Sequence, residues 1–294
     1  MKKLITLAAF ILLLTGCSSE KTFTTKVTDG STVVASVGNA NITKQDLYEC
    51  LMEEKGVDFI LNTALTHIAS TATLDQNAID EEIKSTESTY KALLGEDLDT
   101  YTESYFGYKT FEEYKEKVLI PSIRQVQMIN NYSQENYETL AEQYMFVKCR
   151  LIIVDNETTA NEVLSKVSTK EISFEDAINT YSTDSTNKSN KGEIGLVSDL
   201  SSSTADKNIV AILPQLDRKG MYAAPVQLST GKYAVLEILE TDKTALKDEI
   251  SAQLKDAEEV IYIAEQKFLN DNNFKITDSY LKEKMESRYP GYVK

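Results

Sequence analysis

The sequence predicts an α+β protein: a mostly helical N-terminal segment, completed by C-terminal helices, with a compact α+β domain inserted between them. Three observations predict it. Capped amphipathic helices follow one another from residue 43 to residue 144. From 145 to 241 apolar, β-rich runs stand at both ends with helical patterns between them. After 242 the helical period returns. A length of 294 residues suits about two domains, and 41% hydrophobic residues are enough for packed cores.

The chain opens with Lys2-Lys3 and an uncharged apolar run, residues 4–14 (LITLAAFILLL). Eleven helical residues reach about half of a roughly 30 Å hydrocarbon layer, so the run reads as a signal-peptide core rather than a membrane span. It ends in Leu14-Thr15-Gly16-Cys17, which resembles a bacterial lipobox. That resemblance implies a signal peptide over 1–16 and a diacylglyceryl group on Cys17, a lipid anchor to the cell membrane on its extracytoplasmic side. Residues 17–32 are Ser/Thr-rich without hydrophobic periodicity and read as a flexible tether.

The helical segment spans 33–144. Residues 33–42 (VVASVGNANI) alternate around Gly38-Asn39 and predict a hairpin. Thr43-Lys44-Gln45-Asp46 is a capping box that starts a helix with Leu47, Cys50 and Leu51 on one face. A second helix is expected at about 58–72 and a third from Asp75 to Leu94. Residues 96–108 are acidic and aromatic. Thr110-Phe111-Glu112-Glu113 opens a long helix that Pro121 should kink or divide, and 133–144 supplies one more.

The inserted domain spans 145–241. Residues 144–154 (YMFVKCRLIIV) read as a central strand. Helices follow at 157–169 and, capped by Ser173, to Tyr181. Residues 182–193 form a polar loop, Gly192 and Gly195 bracket a short strand, and 205–217 read as helix. Strands close the domain around 223–228 and 232–240. A continuous stripe from Leu246 to Phe268 predicts a long helix, and 274–285 add a β-like piece and a helix, before a tail at 286–294.

Composition narrows the function. Forty-six acidic residues against 31 basic ones give a net charge of −15, which excludes broad nucleic-acid binding. One His and three Cys leave too few N/S ligands for most zinc sites, so no metal and no cofactor are expected. The single His67 lies at the edge of a helical apolar face, where it reads as an ordinary packed or half-exposed side chain. Cys50 and Cys149 stand far apart among apolar positions and read as two separate buried thiols.

VASVGNANITKQDL, the stretch 146–240 and FKITDSYL together resemble the PrsA-type and SurA-type extracytoplasmic foldases. Within 146–240 the resemblance is to a parvulin, a peptidyl-prolyl isomerase domain. It rests on VKCRLII at 147–153, Tyr181-Ser182-Thr183-Asp184, Gly192-Glu193-Ile194-Gly195, Pro225-Val226 and Gly231-Lys232-Tyr233. It implies that 242–285 pack back on the helical segment, that the partners are unfolded or partly folded exported polypeptides, and that the family's dimerisation is available. It also places Leu151 and Tyr233 where parvulins carry histidines, and Asp184 at their acidic or Cys position. Both usual histidines are therefore absent, since His67 lies elsewhere.

The reading is a membrane-anchored foldase or holdase whose parvulin-like domain is catalytically weak or inactive. Two alternatives stay open: an active isomerase with a site rearranged around Asp184 and Tyr233, and a solute-binding lipoprotein.

Overall fold

A computed structural model describes residues 26–293. The expected signal peptide, the lipidation site Cys17 and the first part of the tether lie outside the described residues. No helix among the described residues is long and apolar enough to cross a membrane. The chain divides into two compact units, one of residues up to 63 together with those from 273 onward, the other of residues 64–272.

In the first unit, residues 26–32 do not continue the tether. They form a turn bonded to the start of a helix: Lys44 N–H donates to Thr32 O and Gln45 N–H to Gly30 O, each at 2.9 Å. The hairpin pairs β1 (Val33–Val37) with β2 (Ala40–Thr43) through a turn with Gly38 at φ +57°. Thr43 and Asp46 complete the capping box reciprocally, Thr43 N–H to Asp46 Oδ2 at 2.8 Å and Asp46 N–H to Thr43 Oγ1 at 3.2 Å.

Helix α1 (Lys44–Thr71) is continuous, where the sequence suggested two helices. The disfavoured Gly56 is accommodated by a close neighbour. A Cβ there would meet Leu281 Cδ2 at 2.8 Å, so glycine is what lets the C-terminal helix approach. Lys284 Nζ donates to Glu53 O at 2.6 Å, and Arg288 pairs with Asp58 at 2.9 Å.

The second unit begins with the rest of α1 and α2 (Gln76–Leu94), whose cap Asp75 accepts from Asn77 and Ala78 N–H. A 3₁₀ turn (Gly95–Asp97), α3 (Leu98–Tyr101) and a π turn (Thr102–Phe106) carry the aromatic stretch. Then come α4 (Phe111–Tyr114), a second π turn (Lys115–Leu119) and α5 (Ile120–Glu135). Pro121 thus divides the expected helix through a π turn rather than a break. Ile120 N–H reaches back to Lys115 O just before the residue that has no N–H. Arg124 ties α5 to the end of α1 by donating Nε–H to Ala69 O at 3.1 Å.

Helix α6 (Tyr137–Gln143) leads into the inserted domain. Its sheet has the order β4 (Glu193–Val197), β3 (Val147–Val154), β7 (Tyr233–Glu240), β5 (Gly220–Met221), with β6 (Val226–Gln227) also on β7; all pairs are antiparallel. Strand alternation sends Ile152, Val154 and Val235 to one face, under α7 (Glu157–Ser168) and α8 (Phe174–Tyr181). Cys149, Leu151, Ala234, Leu236 and Ile238 go to the other. That second face is covered by α10 (Lys207–Val210) and a 3₁₀ turn (Leu213–Gln215), because Pro214 breaks the single helix expected at 205–217. The polar loop at 182–193 contains α9 (Ser185–Ser189).

The C-terminal stripe is two helices, α11 (Lys247–Leu254) and α12 (Glu258–Asp271), packed against α5. Leu246, Ile250, Leu254 and Val260 share a core with Tyr132, Leu140 and Phe146. Residues 274–277 carry no strand, and α13 (Ser279–Arg288) is capped by Asp278. Both thiols are free; Cys149 is buried, but Cys50 is exposed, because its face of α1 is uncovered.

Candidate functional site

The covered face of the sheet leaves a cleft of about 480 Å³ open. Its apolar floor is Leu151 and Ile153 of β3, Ile194 of β4, Ile209 of α10 and Leu228. Its polar rim is Asp184, Thr186, Asn187, Asn190, Glu193, Thr204 and Asp206.

Local hydrogen bonding fixes the rim. Asp184 caps α9, its Oδ1 accepting from Asn187 N–H at 2.7 Å. Asn187 is buried and bonded at both ends of its amide: Ser182 Oγ donates to its Oδ1 at 2.8 Å, and its Nδ2 donates to Leu151 O at 2.8 Å. Gly192 holds φ +78°, and a Cβ there would lie 2.5 Å from Leu151 O. This is a backbone approach that only glycine permits.

Across the cleft, Asp206 caps α10 through Asn208 N–H at 2.9 Å and accepts from Ser229 N–H at 2.9 Å and Ser229 Oγ at 2.6 Å. Burial opposes its ionisation, but the bonds from Ser229 and Asn208, with the Lys207 charge, win and hold its carboxyl below the ordinary value.

The structure brings Leu151 and Asp184 to the cleft and does not bring Tyr233. Tyr233 pairs with Val154 and packs against the α7–α8 face, while its neighbour Ala234 faces the cleft side. By that one-residue alternation Tyr233, at the position where the resemblance puts the second histidine, lies on the opposite face of the sheet from Leu151. His67 is exposed on α1. Sequence reasoning missed Ile153, Ile194, Ile209, Leu228, Asn187 and Asp206. Alternation along β3 would have given Ile153, and Asp206-Lys207-Asn208-Ile209 reads as a helix start; nothing in the sequence marks Asn187.

Chemically, the cleft offers an apolar floor of side-chain size, neutral donors and acceptors, and carboxylates. No imidazole or thiol lines it. Among the described residues no group of three or more His, Cys, Asp or Glu side chains is placed to hold a metal ion. Leu151 can neither donate nor accept a hydrogen bond.

The sequence of this domain, residues 153–240, matches the rotamase family model, the PPIC-type PPIase domain. The chain therefore carries a parvulin-type domain. Over 88% of its length it takes the fold of the peptidylprolyl isomerase PrsA from Bacillus cereus, with a TM-score of 0.52 at 17% identity, covering 98% of that chain. PrsA from Bacillus subtilis aligns at 21% identity and a TM-score of 0.38, over 86% of this chain and 98% of that one. Foldase protein PrsA from Streptococcus pneumoniae aligns at 21% identity and 0.40, over 87% and 99%. No curated protein matches the chain by sequence.

Proposed function

We propose that the chain is a membrane-anchored extracytoplasmic chaperone that holds partly folded exported polypeptides, with its parvulin-type cleft as a peptide-docking module of weak or no isomerase activity. One observation carries the reading. Among the described residues, the large apolar side chains left exposed all fall between 33 and 126, and none falls in the inserted domain. Leu93 is 76% exposed, Val37 73%, Tyr105 72% and Phe59 70%. Within the second unit Tyr105 stacks on Tyr101 and Phe106 on Tyr114; exposed apolar groups that adjoin in this way suit interaction with other chains, and an unfolded client offers the matching chemistry. Lipidation of Cys17 would hold the chain where exported polypeptides emerge.

The low catalytic expectation follows from the cleft. Isomerisation must lower a barrier of about 18–20 kcal/mol, and each factor of ten needs about 1.4 kcal/mol of preferential binding to the twisted amide. An apolar floor strips water from the amide, but Leu151 adds no polar contact to its twisted form. The second reading, an active isomerase, is favoured by Asp184 lying beside that floor.

The test is refolding of denatured exported clients with the purified protein. Aggregation should fall in proportion to added chaperone, and Leu93→Ser or Tyr105→Ser should weaken the effect. No suppression across several clients overturns the reading. In a proline-peptide isomerisation assay the rate should stay near the uncatalysed one, and a large acceleration would establish the second reading. Fractionation of cells carrying Cys17→Ser should move the protein out of the membrane fraction.

A further inference from the structure

The charged residues lining the cleft are Asp184, Glu193 and Asp206, and no Lys, Arg or His lines it. These carboxylates stand around an apolar floor that already has the volume for a side chain, so the cavity is the site and the charges decide what enters it. Asp206 is fixed by three hydrogen bonds and remains ionised at neutral pH. Asp184 is held by its cap to Asn187, and Glu193 is exposed at the end of β4 and makes no ion pair among the described residues. Of the lysines near these segments in the chain, Lys191 faces Glu175 at 4.0 Å, Lys232 faces Asp155 at 3.4 Å, and Lys188, on α9, does not line the cleft. Lys207 follows Asp206 directly, and its charge acts on that carboxyl.

We propose that the cleft selects polypeptide segments in which a Lys or Arg stands within a residue or two of the apolar side chain that fills the floor, and rejects segments with Asp or Glu there. This rests on the reading of the cleft as a peptide-docking site. The physical basis is that apolar walls limit screening, so a cation held near fixed carboxylates gains more than it would in water, while an anion meets like charge as well as desolvation. The apolar contact supplies the binding common to every segment, and the rim supplies the discrimination.

The test uses the full chain and three labelled peptides of one length. Each carries Leu-Pro at its centre, and the residue before Leu is Lys, Gln or Glu. Fluorescence anisotropy at about 50 mM salt should rank affinity Lys over Gln over Glu, with about tenfold between the extremes. That gap should narrow at about 500 mM salt, where the Debye length falls to a few ångströms. Glu193→Gln, an exposed change that breaks no contact, should narrow the gap, and so should Asp184→Asn, which retains the capping oxygen. Equal affinity for the three peptides overturns the proposal while leaving the docking site intact. A gap unchanged in both variants places the selection elsewhere on the acidic chain and also overturns it. No binding by any peptide removes the docking reading and this inference together.

Discussion

The side-chain amide of Asn187 donates to the backbone oxygen of Leu151 at 2.8 Å, and the backbone oxygen of Asn187 accepts Gly192 N–H at 2.9 Å. Gly192 O in turn accepts Leu151 N–H at 2.9 Å, which closes a ring of three residues. This ring joins the capped turn that carries Asp184 to the strand that floors the cleft.

Asn187→Ala removes both bonds of a buried amide and leaves Ser182 Oγ and Leu151 O without this partner. The expected loss of stability is about 1–3 kcal/mol. Denaturant unfolding of the variant against the parent checks it, and an unchanged midpoint would show that the ring is not a stabilising element.

Gly192→Ala should be at least as harmful by a different route. The residue must hold φ +78°, and its new methyl would press on Leu151 O at 2.5 Å and Ile178 Cδ1 at 2.9 Å. Left-handed strain and overpacking together give about 2–4 kcal/mol. Thermal unfolding reads this out, and retained peptide affinity in the cleft would mean that the strand and turn had yielded without moving the floor.

Asp206 gives the inserted domain an acid limit. Its carboxyl is held below the ordinary 3.8 by the bonds from Ser229 and Asn208, which outweigh burial. A depressed folded-state value means that ionisation favours the folded form. The contribution is therefore complete above the unfolded value and is lost as pH falls through the folded one. Unfolding measured from about pH 6 down to about pH 2.5 should show Asp206→Asn less stable than the parent at the upper end, with the difference closing as acidity rises. A difference that stays constant over that range would assign the loss to packing instead.

The two described thiols should separate cleanly. Burial pushes the Cys149 thiol up to about 12, whereas Cys50 is exposed. Thiolate is the reactive form, so a disulfide reagent at about pH 8 should modify Cys50 promptly and Cys149 only after unfolding. In protein taken from membranes a further reactive thiol would mean that Cys17 carries no lipid.

The sequence was legible where one residue type does one job. Thr43, Thr110 and Ser173 all cap helices as expected, because a short acceptor side chain before an apolar period has few other uses. The apolar run at 147–154 and the alternation at 233–240 gave both central strands. What failed depended on distant partners. The two helices expected before residue 72 are one, because Leu281 packs where a Cβ at Gly56 would be and gives glycine a place inside the helix. The exposure of Cys50 depends on whether another element covers its side of α1, which no local pattern records. The floor of the cleft draws on residues from 151 to 228, and the strands that align them are set by pairing.

The alternation of β7 has a practical consequence for anyone placing paired imidazoles in this scaffold. Matching glycine spacing between sequences nominates position 233 for an engineered imidazole, beside one at 151. In this sheet those two rings would stand on opposite sides, one in the cleft and one beneath the helices. Leu151 lies opposite Leu236, so its diagonal neighbour on the open side is Ala234. Ala234, fully buried in the core of that face, is therefore the β7 position that shares a side of the sheet with 151. The family spacing, copied letter for letter, would set the two rings on opposite faces of the sheet.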